Sequence, residues 1–239
     1  MKRISLIGLM AFLLVGCIDH KGNINFTYEH SERYRVGDVT LQQPVNEIDV
    51  TWLGGEINIV YADIPGVRIH EEATNALIDS LRMRYYLDDE GCLDIQFCQS
   101  GQKFISRDRK DLSEFAKTLT IEVPRGTVLK GIDLDMVSTS VRIDSVASRE
   151  LSLDGVFFDV LAQYPVMPEE IDMDGVDGSL NLMVPAEAGM TVEMNGVKKY
   201  LNITSERSTR KEGRKTIIGD GSCEIDVDGV NVTLNINEL

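Results

Sequence analysis

The feature that most constrains the fold is an apolar pattern that recurs about every 20 residues. Each copy carries apolar side chains at offsets 0, 2, 5, 9 and 11. The copies begin at Ile48, Ile132, Leu151, Ile171, Val192 and Ile225. Burying five such side chains stabilises by less than ordering 20 residues costs, so no copy can fold alone. The copies must therefore stack on one another to form a shared core.

The spacing of the copies is regular except at two places. Starts of the last five copies are separated by 19, 20, 21 and 33 residues. The extra length before the last copy is the polar segment 204–222, which predicts a loop leaving the array. The first copy lies 84 residues before the second, close to four periods.

Asp or Asn followed by Gly recurs at offsets 3 and 4. The pairs are Asp154-Gly155, Asp174-Gly175, Asn195-Gly196 and Asp228-Gly229. Such pairs adopt positive φ at low cost, so the pattern predicts a corner at the same point of each copy. On both sides of this corner the apolar period is two, which predicts short strands with one face inward.

Two all-β architectures fit this pattern. In a parallel β-solenoid of about 20-residue coils, equivalent strands stack about 4.8 Å apart. In the alternative, an antiparallel β-sandwich, each Asp-Gly would be the tip of a hairpin and alternation would continue through offset 7. That offset holds Gly55, Thr139, Phe158, Gly178, Lys199 and Val232, which share no character. The solenoid is therefore favoured.

The copies, preceded by the segment from Leu119 to Gly126, resemble a known family. They are similar to the putative-adhesin β-helix family of bacterial surface and membrane-anchored proteins, whose function is uncharacterised. The resemblance covers roughly Ile48 to Ile236. It implies a right-handed β-solenoid, or β-helix, on the cell exterior, and it carries no catalytic residues over to this chain.

The N-terminus has the organisation of a secretory signal. Lys2 and Arg3 precede an apolar run from Ile4 to Val15, which is shorter than the roughly 20 residues that span a bilayer. The following Leu14-Val15-Gly16-Cys17 resembles the lipobox of bacterial lipoproteins. That resemblance implies cleavage before Cys17 and attachment of lipid to its thiol. The alternatives are a secretory signal without lipidation and an N-terminal helix in which the cysteine occurs by chance.

Three regions follow from these patterns. Residues 1–16 are a predicted signal peptide, and residues 17–45 a lipid-anchored tether with a possible N-terminal cap. Residues 46–239 form the predicted β-solenoid domain, with the polar loop at 204–222. The predicted location is the extracytoplasmic face of a cell membrane, held by lipid; Ile18-Asp19 does not decide between inner and outer membranes.

Charge limits the classes of binding partner, and cysteine content limits the possible disulfide bonds. The formal net charge of −15 excludes nucleic acid as a partner, because a phosphate backbone requires a basic surface. Besides Cys17 the chain has Cys92, Cys98 and Cys223. An odd count argues against a disulfide framework, leaving either buried thiols or one bridge from Cys223.

No residue pattern predicts a catalytic group, a cofactor-binding residue or a metal ligand. Carboxylates recur at offsets 1 and 3 and would form ladders that could attract Ca²⁺. Because the glycine-dense nonapeptide of calcium-binding β-rolls is absent, we expect solvated corner residues instead. His70-Glu71-Glu72 is likewise predicted to be a solvated turn.

The predicted function is a non-enzymatic, adhesin-like surface lipoprotein that acts in interaction or scaffolding at the cell envelope. Its predicted partners are the membrane, through lipid, and an envelope protein or glycan. The alternative is a glycan-binding or polysaccharide-degrading protein on a β-helix, which would need Trp52, Tyr61 or Arg142 beside the acidic ladder. The basic run Arg207, Arg210, Lys211, Arg214 and Lys215 is predicted to be an exposed loop or to fold back onto that ladder.

Overall fold

The computed structural model describes residues 23–105, 115–204 and 208–239, which form an all-β body. The predicted signal peptide at 1–16 and the predicted lipid-attachment residue Cys17 lie outside these ranges. Fifteen strands form one sheet and two form another. Among the residues described, none belongs to a helix with the length and apolarity to cross a membrane.

The strands are β1 (Asn23–Phe26), β2 (Arg35–Val36), β3 (Val39–Thr40), β4 (Glu47–Ala62), β5 (Arg68–Ala73), β6 (Arg84–Leu87), β7 (Cys92–Gln96), β8 (Gln102–Ile105), β9 (Lys117–Pro124), β10 (Val128–Asp144), β11 (Ala147–Gln163), β12 (Glu170–Val184), β13 (Met190–Met194), β14 (Lys198–Ile203), β15 (Thr209–Glu212), β16 (Lys215–Ile218) and β17 (Cys223–Glu238).

The centre of the molecule is a parallel stack of five long strands. Their spatial order is β4, β10, β11, β12 and β17, and each neighbouring pair is parallel. The register joins the first apolar residue of each copy, which are Ile48, Ile132, Leu151, Ile171 and Ile225. All five are buried in one hydrophobic core.

Each long strand turns back on itself between its two halves. Only Ser145 and Val146 separate β10 from β11, yet the two strands are parallel and in register. The chain therefore returns close to its starting point within one copy. The bend lies at Met136 and Val137. These adjacent residues are both buried, whereas in a straight strand side chains alternate between the two faces and one of them would be exposed. The apolar residues of the two halves consequently face the same interior.

The chain order of the copies is not their spatial order. β4 pairs directly with β10, so the 84-residue separation does not represent intervening coils of the stack. At the other end, β17 lies between β12 and the pair β13 and β14, although it comes last in the chain. The copies therefore stack in chain order from β4 to β12, and only the last two copies are exchanged.

Both ends of the stack carry shorter strands. β7 and β9 pair in parallel with the two halves of β4, and β13 and β14 do the same along β17. Beyond them the pairing becomes antiparallel, through β6 and β5 at one end and β16 at the other. Segment 204–222, predicted to be a loop, contributes the hairpin of β15 and β16.

Residues 23–45 belong to the folded body. β2 and β3 pair antiparallel with β6 and β5, so they lie at the outer edge of one end. Ile24, Phe26, Leu41 and Val45 are buried in the common core. These residues therefore pack against one end of the stack and contribute to its core, which differs from the tether expected for 23–45.

The glycines of the Asp-Gly pairs serve close packing more than turning. Gly155, Gly175 and Gly229 lie within strands and have no positive φ. A Cβ atom at Gly155 would lie 2.6 Å from the carbonyl oxygen of Met136, and one at Gly229 would lie 2.1 Å from that of Gly175. The predicted positive-φ corner is therefore wrong at these positions and holds at Gly196, where φ is 128°.

The apolar residues at offset 5 form one column but not one buried layer. Leu53 and Val137 are 1% and 2% exposed. Along the same column the exposed fraction rises to 37% at Val176, 50% at Val230 and 79% at Val197. The expected continuous interior is therefore wrong at this offset, which belongs to the core only at one end of the stack.

Candidate functional site

Two columns of carboxylates run along the outer side of the first strand halves, and we call this surface the acidic face. It exists because residues at offsets 1 and 3 alternate with buried residues and the parallel register aligns them across strands. In spatial order the first column contains Asp94, Asp49, Asp133, Ser152, Asp172 and Asp226. The second contains Gln96, Thr51, Asp135, Asp154, Asp174 and Asp228.

The acidic face is buried at one end and exposed at the other. Asp154 is only 8% exposed, whereas Asp226 and Asp228 are exposed. Burial, reinforced by neighbouring carboxylates, raises the pKa of Asp49 to about 8 and those of Asp135 and Asp154 to about 7. The prediction of solvated corner residues is therefore wrong for this end of the face.

Three carboxylates of the acidic face converge. Asp133 and Asp135 are alternate residues of β10 and point to the same side, while Asp154 of β11 is the register partner of Asp135. One oxygen from each carboxylate lies within 4.8 Å of the other two. The Oδ1 atom of Asp154 is buried and has no hydrogen-bond partner among the described residues.

A cavity of about 840 Å³ adjoins this cluster where the N-terminal segment crosses the face. Tyr28, Tyr34 and Tyr86 line it together with Asp49 and Asp94. The ring centroids of Tyr28 and Tyr34 are 4.8 Å apart, and those of Tyr34 and Tyr86 are 5.8 Å apart. The Tyr34 hydroxyl donates a hydrogen bond to the Asp94 carboxylate. The cavity thus combines aromatic surfaces with acidic groups.

Cys92, Cys98 and Cys223, the cysteines within the described ranges, are unpaired thiols in this structure. Cys92 lines the tyrosine cavity, and Cys98 and Cys223 are buried. Burial raises the pKa of each of the three thiols to about 12. All three therefore stay protonated at neutral pH and are weak nucleophiles.

The residues required by the alternative of a sugar-processing groove lie elsewhere. Trp52 is fully buried. The Tyr61 hydroxyl donates a hydrogen bond to the carbonyl oxygen of Thr127 at 2.5 Å. Arg142 forms an ion pair with Asp144 at 3.1 Å, outside the acidic face. The structure does not bring these three side chains together.

A buried ion pair lies at the end of the stack that contains β9. Lys117 Nζ is 2.7 Å from a Glu71 carboxylate oxygen, and both side chains are at most 4% exposed. The ammonium also donates to the carbonyl oxygen of Phe97 and lies 4.9 Å from the Trp52 ring centroid. The solvated turn predicted after His70 is therefore wrong for Glu71. No local pattern indicated this pair, because its members are distant in sequence.

The basic run is distributed over the hairpin of β15 and β16, with Arg207 outside the described residues. Arg210 forms an ion pair with Glu212 at 3.1 Å, within its own strand. Lys215 lies 4.0 Å from a carboxylate oxygen of Glu224, on β17. Arg210 therefore pairs with a carboxylate of its own hairpin, and Lys215 approaches a carboxylate of the long strand β17.

Comparisons with known proteins identify the fold. No protein-family model matches the sequence, and no curated protein matches it significantly. The structure is similar to the crystal structure of a "putative cell adhesion protein" from Clostridium sporogenes, with a TM-score of 0.67 and 12% sequence identity. That match covers 86% of this chain and 100% of the other.

A second solved structure is a "putative adhesin" from Bacteroides fragilis, with a TM-score of 0.36 and 11% sequence identity. It covers 87% of this chain and 98% of that one. The similarity at this TM-score carries no argument, so the fold assignment depends on the Clostridium structure.

Proposed function

We propose that the chain is a lipoprotein anchored on the extracytoplasmic face of a cell membrane, where it serves interaction or scaffolding without catalysing a reaction. In this proposal the parallel stack is a right-handed β-solenoid of the adhesin type. The observation that carries the adhesive role is the shared fold, at a TM-score of 0.67, with the "putative cell adhesion protein" from Clostridium sporogenes.

The anchoring part of the proposal depends on Leu14-Val15-Gly16-Cys17. Only five residues separate Cys17 from Asn23, where the first described strand begins. Even fully extended, the six Cα–Cα steps from Cys17 to Asn23 span about 20 Å. A lipid on Cys17 would therefore hold the folded body close to the bilayer surface, while two or more acyl chains would make that attachment stable.

The arrangement of the ends supports a scaffold that stays a single unit. An uncovered parallel edge would present unpaired backbone groups to other chains. Here β5 and β6 cover β9 and β7 at one end, and β16 covers β13 at the other, where β14 pairs only with β17 among the described strands. The covered strands cannot pair with other chains, and the sides of the stack are left for binding partners.

The non-enzymatic part of the proposal is supported by the structural contacts of the residues that a sugar-processing groove would need. Trp52 supports the core and Tyr61 binds backbone. Lys117, a potential base, is held between Glu71 and main-chain carbonyl groups. These side chains already have structural partners. Their contribution to stability therefore explains their presence without a catalytic role.

Lipid attachment can be tested with the full chain expressed in a bacterium. We expect metabolic labelling with an alkyne fatty acid to mark the wild type, which should fractionate with membranes. Cys17→Ser should lose both the label and the membrane association, whereas Cys92→Ser should keep both. Label and membrane association unchanged in Cys17→Ser would contradict the anchoring proposal.

Adhesion can be tested on the same cells by measuring their retention on surfaces coated with purified cell-envelope fractions. We expect wild-type cells to be retained more strongly than cells carrying Cys17→Ser, because only the anchored protein links cell to surface. Equal retention would argue against an adhesive role even if the lipid is present.

The tyrosine cavity favours glycan binding as a second candidate function. Aromatic faces stack on sugar rings, and carboxyl groups form hydrogen bonds with sugar hydroxyls. This cavity offers Tyr28, Tyr34 and Tyr86 beside Asp49. A glycan array probed with the full chain in detergent tests the idea. Selective binding that Tyr86→Ala abolishes and the exposed Tyr200→Ala preserves would establish it; binding unaffected by Tyr86→Ala would exclude this cavity.

A further inference from the structure

The cluster of Asp133, Asp135 and Asp154 has the dimensions of a cation site. Oxygen ligands lie about 2.3–2.6 Å from Ca²⁺, so two ligands of one ion are separated by at most about 5 Å. One oxygen from each of the three carboxylates lies within 4.8 Å of the others. A single ion between them could therefore contact all three.

A second observation points to a ligand independently of the acidic composition. The side chain of Asp154 belongs to a residue that is 8% exposed, and its Oδ1 atom has no hydrogen-bond partner among the described residues. A buried carboxylate oxygen without a partner is costly unless a cation or donor satisfies it. This oxygen belongs to the carboxyl group that faces Asp135 across the two strands.

The surroundings supply no competing protein cation. Within the described part of the chain, no ion pair joins Lys or Arg to any of the three carboxylates. Of the four adjacent members of the two columns, Asp49 and Asp174 are acidic, and Thr51 and Ser152 are neutral. The local field is therefore strongly negative and attracts a positive ion.

We propose that Asp133, Asp135 and Asp154 bind one divalent cation, with Ca²⁺ the ion that best suits three carboxylates on a strand surface. Ca²⁺ accepts irregular sets of six to eight oxygen ligands, and water can complete the set on the open side. Mg²⁺ requires near-ideal octahedral geometry, which fixed side chains of a sheet do not readily provide. The proposal depends on these carboxylates alone and is independent of the proposed adhesive function.

The bound ion would join β10 to β11 at the buried end of the acidic face. It would replace the mutual repulsion of three carboxylates by attraction to a shared centre. Because the ion binds the folded chain and not the unfolded one, it would raise the midpoint of thermal unfolding with increasing concentration. The stack would then be more stable where free Ca²⁺ is abundant.

The test uses the full chain in detergent after treatment with a chelator, at pH 7.5. Calorimetric titration with CaCl₂ should show one saturable site with a Kd of about 0.1–1 mM, the range of extracellular calcium modules. We expect Asp154→Asn to weaken binding at least about tenfold, since it removes one of three charged ligands. Asp228→Asn should change the affinity less than about twofold, because Asp228 lies in the same column but is exposed.

Thermal unfolding provides a second measurement, which distinguishes a loss of Ca²⁺ binding from a failure of the variant to fold. Without divalent ions, Asp154→Asn should unfold at a higher temperature than the wild type, because repulsion is relieved. With 10 mM CaCl₂ (about ten times the expected upper Kd) the order should reverse. The absence of saturable Ca²⁺ binding, equal affinities of Asp154→Asn and Asp228→Asn, or an unchanged order of unfolding temperatures would each overturn the proposal.

Discussion

The middle of the stack and its two ends hold together in different ways. In the middle, β10, β11 and β12 align equivalent residues such as Leu134, Leu153 and Met173 in one buried column. At the ends, single long strands give way to the split pairs β7 with β9 and β13 with β14. The middle is thus stabilised by repetition, and each end by contacts that occur once.

The difference shows what a repeating sequence can and cannot encode. A repeated apolar pattern specifies that one strand fits on the next, but it contains no information on where stacking stops. Stopping requires residues outside the pattern, such as Lys117 with Glu71 at one end and Ile218 in β16 at the other. The following predictions separate these two kinds of stabilisation.

The largest effect is expected at the end that contains the buried ion pair. Lys117→Met removes the closest cation of the Glu71 carboxylate, which is 4% exposed and keeps only the Met83 N–H and the Arg82 guanidinium at 3.8 Å. Removing one member of a buried pair typically costs about 3–5 kcal/mol. We therefore expect urea unfolding to show a decrease of about 4 kcal/mol in the free energy of unfolding.

The double variant Lys117→Met with Glu71→Leu is the control for this prediction. Because it removes both charges together, it should recover most of the lost stability. A decrease below about 1 kcal/mol in the single variant, the range of exposed ion pairs, would show that this end does not depend on the pair.

A smaller effect is expected in the middle of the stack. Leu153 is fully buried, and its replacement by Ala should lower the free energy of unfolding by about 3 kcal/mol. Hydrogen exchange should then accelerate in β10, β11 and β12 together. Ile218→Ala, at the opposite end from Lys117, should accelerate exchange mainly in β13, β15 and β16. Identical exchange patterns would mean that middle and ends form one cooperative unit.

The column at offset 5 allows the same substitution to be compared at two depths. Val137 is 2% exposed and Val197 is 79% exposed. Val137→Ala should lower the free energy of unfolding by about 2 kcal/mol, since it removes two buried methyl groups. Val197→Ala should change it by less than about 0.5 kcal/mol. Equal losses would require Val197 to be covered in solution.

The last prediction concerns how stability changes with pH through the acidic face in the absence of divalent ions. The folded pKa of Asp154, about 7, is above its unfolded value near 4, so the folded state retains the proton over that interval. Stability should therefore increase as pH falls from about 7 to about 4, by at most about 1.4 kcal/mol per pH unit for this group. Unfolding midpoints measured in a chelator should show a shallower increase for Asp154→Asn, with Asp228→Asn as the matched control. No difference between the two variants would contradict the prediction.

The sequence was most informative about the middle of the stack. The all-β class and the alignment of Leu151 with Ile171 follow from periodicity, because each apolar offset must face the same interior. The positions of β7 and β9 could not be predicted. These two strands pair with the two halves of β4, and an insertion separates Leu93 in β7 from Leu119 in β9. The position of β17 next to β12 could not be predicted either, because the repeat pattern gives no information on which copies are neighbours in space.

The candidate site could be predicted only in part. Recurrence at offsets 1 and 3 correctly placed Asp133, Asp135 and Asp154 on a common outer face. The access of water to Asp135 depends on the tertiary cover by Tyr28 and Tyr34, which line the same cavity and lie about a hundred residues upstream. Burial of that end of the face is therefore a property of the fold and could not be derived from the repeat.

The position of β17 has a consequence for the order of folding. β13 is the parallel neighbour of β17 and not of β12, so its place in the sheet does not exist until Cys223–Glu238 has been synthesised and paired. Stacking can proceed from β10 to β12 as the chain emerges, but the C-terminal cap must wait. A chain that crosses a membrane unfolded would thus complete its last edge only after its final strand has passed through.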